Sequence, residues 1–85
     1  MNRKDVEQLH KSLGSDYFAD ALALTRDEGA ARDIVQSVFT GLLGPGIEPK
    51  DPEAYISVAV RNGVLKWRKR EAQEREKHAL EEPIW

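Results

Sequence analysis

The sequence predicts an all-α domain, a small three-helix bundle with an extended C-terminal helix, and three observations carry that prediction. Ala, Leu, Glu, Arg and Lys are plentiful while aromatic residues make up 7% of the chain, a composition that favours helix over strand. Apolar residues recur at steps of three and four, as on one face of a helix. A Pro/Gly-rich stretch at residues 44–52 separates two such patterns and cannot itself be helical. A chain of 85 residues makes one small domain, which buries only about 60–65% of its unfolded surface. It has no cysteine, so no disulfide or thiolate zinc site supports that modest core. Helix packing must.

The first helix is expected from about Lys4 to Thr25, with Val6, Leu9, Leu13, Tyr17, Ala21 and Leu24 as one apolar stripe facing the core. Gly14-Ser15 interrupts it and marks a kink or a short break, with Ser15 able to cap the helical segment after it. Thr25-Arg26-Asp27-Glu28 then reads as a turn and restart: Thr25 and Glu28 have capping-box spacing, and Asp27 is an equally good cap. The second helix should run from about Glu28 to Leu43. Ala31, Ile34, Val35, Val38, Phe39 and Leu42 fill one broad face at about 100° per residue. Opposite them lie Gly29, Asp33, Gln36, Ser37, Thr40 and Gly44. Solvated helix faces are usually rich in Lys, Glu and Arg, so this short, polar strip with one acid suits a partner surface.

Asp51-Pro52 starts the third helix, Asp51 as cap and Pro52 at the first helical position, where a missing N–H costs nothing. Ala54, Tyr55, Ile56, Val58, Ala59 and Val60 are apolar nearly all round the helix, which predicts the most buried element of the fold. After Arg61-Asn62-Gly63 the character changes. From Glu71 onward the pattern is charged, and a frayed or protruding helix that Pro83 would end is expected. The chain therefore divides into a helical domain at 1–70 and a charged tail or linker at 71–85. A helix-turn-helix is excluded by the nine-residue loop, which is far longer than that motif's turn.

The net charge of −2 conceals a sharp segregation. Residues 1–53 carry six basic and ten acidic side chains, and residues 71–85 carry two and five. Residues 54–70 carry Arg61, Lys66, Arg68, Lys69 and Arg70 and no acid. Cations, an amide and an indole on one helix are the groups that neutralise phosphates, pair with a base edge and stack on bases, and together they suit partly melted DNA. A basic helix end also complements the helix dipole. Trp67 falls near the Tyr55, Ile56, Ala59 and Gly63 face, which favours a core position over a stacking platform. No nucleophile–base or metal-ligand spacing occurs, and His10 and His78 are far apart, so neither catalysis, a metal nor a cofactor is expected. No apolar run approaches the ~20 residues needed to cross a bilayer and no signal peptide opens the chain, so a cytoplasmic protein without a membrane role is expected.

Two motifs add a resemblance. Leu24-Thr25-Arg26-Asp27 followed by Asp33-Ile34-Val35-Gln36-Ser37-Val38-Phe39 resembles the turn and helix of extracytoplasmic-function sigma factors. Asp51-Pro52-Glu53-Ala54-Tyr55-Ile56 with Ala59-Val60-Arg61-Asn62 is similar to the same family's next helix. Both stand in the family's order, and the likeness covers about residues 5–70. It implies the three-helix region 2 domain, with Asp33 and Gln36, and Ser37 and Thr40 beside them, docking on the clamp helices of the RNA polymerase β′ subunit. It also implies that Asn62, beside the loop preceding its helix, helps hold a base flipped from the single-stranded minus-ten promoter element. Arg61, Lys66, Arg68, Lys69 and Arg70 would follow the phosphates. Flipping costs a few kcal/mol of unstacking, which several phosphate contacts and one enclosed base can offset.

The chain departs from the family where Gly63, Val64, Leu65 and Lys66 stand in place of an acid, in its short Pro-rich loop, and in lacking the domain that reads the upstream element. The initiator Met and the absence of a tag favour a stand-alone or split subunit over an excised fragment. A second subunit for upstream recognition, or an anti-sigma factor, is the implied partner. Two other functions compete with a sigma-type initiation subunit. One is a sigma-mimicking regulator or co-sigma that binds polymerase or a partner factor without reading bases. The other is a helical interaction domain unrelated to transcription.

Overall fold

The computed structural model describes residues 2–81, with side chains through Lys77. It consists of three helices: α1 (Arg3–Thr25), α2 (Glu28–Gly41) and α3 (Pro52–Glu81). Each starts on a polar cap. The Asn2 side chain accepts from the Asp5 N–H at 2.8 Å, Asp27 from Ala30 at 3.0 Å, and Asp51 from Ala54 at 3.1 Å, satisfying N–H groups that have no partner inside the helix. Asp27, rather than Thr25, is therefore the cap of α2. The Thr25 hydroxyl instead donates back to the Ala21 carbonyl at 2.8 Å and accepts from the Asp27 N–H at 3.2 Å. Arg26 turns the chain between them in the left-handed conformation, φ 55°.

The core joins Val6, Tyr17 and Ala21 of α1 to Ala31, Ile34, Val35 and Phe39 of α2, Leu42 just beyond it, and Ile56, Val60 and Val64 of α3. Leu42 and Ile56 are its largest fully buried side chains. Phe39 sits between the His10 ring, edge-on at 4.9 Å, and the Tyr17 ring at 6.3 Å. The Tyr17 hydroxyl reaches across to donate to the Glu53 carbonyl at 3.0 Å, which gives a buried phenol the polar partner it needs.

Three expectations change. Gly14-Ser15 does not break α1, which runs unbroken from Arg3 to Thr25. Gly14 is buried beneath the His10 ring, and packing on both sides of it outweighs a propensity penalty of only about 1 kcal/mol. The stripe of α1 also drifts at its end, so that Thr25 is buried and Leu24 is exposed. Finally, the start of α3 is not the most buried part of the fold. Ile56, Val60 and Val64 form one buried line, while Tyr55, Val58 and Leu65 are 40%, 59% and 60% exposed. Two other helices can cover one face of a third, and the opposite face stays open however apolar it is.

α3 has 30 residues, a length of about 45 Å, in a molecule measuring 57 × 25 × 17 Å. Trp67 is the last α3 side chain packed on the core. From Ala72 to Lys77 every side chain is exposed, so the helix projects beyond the bundle. Pro83 lies outside the described residues. No described helix is long and apolar enough to cross a membrane.

Candidate functional site

The site begins with a glycine. Where α3 crosses α2, a Cβ added at Gly63 would lie 2.7 Å from Ile34 Cγ2, closer than two carbon atoms can stand. The missing side chain lets the two helices meet there, and beside the crossing an open groove of about 680 Å³ runs along both. From α2 it is lined by Asp33, Ser37 and the apolar Ala30, Ile34 and Val38, with the cap Asp27 at its edge. From α3 it is lined by Asn62, Lys66 and Arg70, with Ala59, Trp67 and Glu71. The floor is apolar, one long wall is cationic with an amide, and the other wall is short and polar.

The fold thus brings together five residues singled out from the sequence: Asp33, Ser37, Asn62, Lys66 and Arg70. The rest of the polar strip leans the other way. Gln36 lines a hollow between α1 and α2 with His10, Gly14 and Phe18, and Thr40 lines another with Val6, His10 and Leu43. All four strip residues are exposed. The strip is the outer ridge of α2, accessible from both flanks.

The basic residues divide as well. Arg61 opens on a separate hollow with Tyr17, Asp20 and Leu24, and Lys69 is exposed on the outer side of α3. Arg68 is engaged within the fold: its guanidinium donates to the Leu24 carbonyl at 2.9 Å, closing the last turn of α1, where orphan carbonyls and the dipole both favour a cation. The two ion pairs between described side chains, Arg3–Glu7 and Arg32–Glu28, lie on other helices. Arg61, Lys66, Lys69 and Arg70 have no carboxylate within ion-pair distance among the described residues.

No residue of loop 44–52 lines the groove that contains Asn62. Ten residues of α3, about 15 Å of helix axis, separate Asn62 from Pro52, and the neighbours of Asn62 across the groove come from α2. The groove also holds residues that sequence reasoning did not assign to a site. Asp27 and Glu71 place carboxylates in it, and Gly63 lines it at the helix crossing. Their signal is tertiary: a glycine inside a helix marks a close approach only once the facing residue is known. Among the described residues no three His, Asp or Glu side chains converge as metal ligands would.

No family model matches the chain, and neither the curated proteins nor the solved structures contain a match.

Proposed function

We propose that the chain is a sigma region 2-like transcription-initiation subunit, binding bacterial RNA polymerase core through the ridge of α2 and melted promoter DNA through α3. In this reading Asp33, Gln36, Ser37 and Thr40 dock on the β′ clamp helices. Asn62 takes a base of the minus-ten element, and Arg61, Lys66, Lys69 and Arg70 run along the phosphates. The observation that carries it is the shared groove, in which Asp33 and Ser37 of one motif face Asn62 of the other, with the basic side chains of Lys66 and Arg70 beyond it. The likeness in sequence and the exposure of the whole ridge add to it. Arg68 becomes a positioning residue, because its guanidinium holds the end of α1. The reading is of a cytoplasmic binding subunit, with no catalytic group and no metal.

The test is core polymerase affinity. Asp33→Ala and Gln36→Ala each remove a polar contact to the clamp and should weaken binding by about tenfold or more, the effect of ~1.5 kcal/mol. Single-stranded minus-ten DNA added to the complex should bind with a log–log salt slope of about −3, the value for four phosphates at ~0.7 each. Asn62→Ala should lower that affinity with the slope unchanged. Unaltered polymerase affinity in both α2 variants removes the reading.

One observation favours a second reading, in which the chain holds the clamp but reads no base. Asp27, Asp33 and Glu71 all line the groove that contains Asn62, and carboxylates oppose an incoming phosphate. Transcription in vitro separates the two. Initiation that depends on Asn62 supports the subunit, and modulation of another sigma factor's output supports the regulator.

A further inference from the structure

The outward face of α3 carries a pattern that the groove shares only at Asn62. Asp51, Tyr55, Val58, Asn62, Leu65 and Lys69 follow one another at steps of four, three, four, three and four. That is the spacing of a seam along which one helix packs on another. At 100° per residue the seam lies opposite the buried line of Ile56, Val60 and Val64, and none of its six side chains is buried. Its ends are of opposite charge: Asp51, the cap of α3, at the start, and Lys69, with Lys66 one turn before it, at the finish.

We propose that this seam pairs α3 with α3 of a second copy of the chain, antiparallel and centred near residue 60. Charge selects the orientation. Antiparallel packing sets Lys69 against Asp51 of the second copy, Leu65 against its Tyr55, and Asn62 against its Val58, and the twofold axis repeats each contact. Parallel packing would put Lys69 against Lys69 and Asp51 against Asp51. Antiparallel alignment also opposes the two helix dipoles. A single Asn at such a seam fixes register at a cost in stability, and the two Arg61 side chains flank the axis and repel. The association is accordingly weak.

The pairing rests on the seam alone. Its consequence for DNA rests on the proposed function, because Asn62 belongs to both the seam and the groove, and a dimer covers the amide. The dimer is then a closed form, and single-stranded DNA and self-association compete for Asn62.

Sedimentation equilibrium of the full chain, from about 1 μM to about 1 mM to span an interface below the ~1,200 Å² of a standard complex, should give a mass rising towards twice that of the monomer. Val58→Glu and Leu65→Glu, both at exposed positions, should keep the helical circular dichroism and weaken association by about tenfold or more. Orientation has its own test, because the chain contains no cysteine. Mixed Tyr55→Cys and Leu65→Cys chains should form a disulfide-linked pair on mild oxidation that neither variant forms alone. A single mass throughout overturns the proposal, as does self-association untouched by both glutamates. These outcomes do not involve Asp33 or Gln36, so the pairing and the polymerase reading can each fail alone.

Discussion

Two of the three seams of this bundle are held in different ways. α1 and α2 are joined by Arg26 and Asp27 alone, and their junction is fixed by bonds between near neighbours. Arg26 N–H donates to the Leu22 carbonyl at 2.7 Å, Thr25 bonds Ala21, and Asp27 caps the next helix. α2 and α3 are joined by ten residues, 42–51, and their crossing is set far from that connection, at Ile34 and Gly63. Chain adjacency specifies the first seam. The second, which shapes the groove, depends on one absent methyl group.

The largest expected effect breaks the second seam. In Gly63→Ala the new Cβ falls 2.7 Å from Ile34 Cγ2, so the Ile34 side chain or the helices must shift, at a cost of about 1–3 kcal/mol that alanine's helix-propensity gain of ~1 kcal/mol offsets only in part. Thermal and denaturant unfolding measure it. Under the proposed function the same variant loses polymerase and DNA binding together, because both sets of residues shift. Unchanged stability would mean that the helices do not meet at Gly63. A smaller effect comes from the first seam. Asp27→Ala removes the cap of α2 and should cost about 1 kcal/mol, whereas Asp27→Asn should keep most of it. Equal losses in the two variants would show that charge, rather than the hydrogen bond, secures the junction.

The contrast also explains which features are legible in the sequence. The buried face of α2 is a local periodic pattern, and Ala31, Ile34, Val35, Phe39 and Leu42 all pack as their spacing predicts. The Asp51-Pro52 start of α3 is equally local. Tyr55 and Val58 stand exposed against expectation because hydrophobicity reports a tendency to bury, whereas the number of neighbouring helices decides which face is covered. Arg68 reads as a free cation because its acceptor, the Leu24 carbonyl, is 44 residues away. Asp33 and Asn62 each stand in a motif of their own, but their meeting in one groove is a property of the Gly63 crossing and of no single segment.

Gly14 provides the sharpest counterpart to Gly63, and the smallest expected effect. Both glycines lie inside helices that pack on α2. At Gly14 an added Cβ would meet three atoms of the His10 ring at 3.5–3.6 Å, an ordinary van der Waals separation. Alanine there needs no movement of α1 or α2, and it removes backbone freedom from the unfolded chain. Gly14→Ala should therefore raise stability by about 0.5–1 kcal/mol, opposite in sign to Gly63→Ala, with the His10–Phe39 stacking retained. Aromatic ring shifts in the NMR spectrum report that stacking alongside the unfolding midpoint. A loss of stability at both positions would mean that the α1–α2 seam is packed as tightly as its partner, and the distinction between a locally fixed joint and a remotely fixed one would go with it.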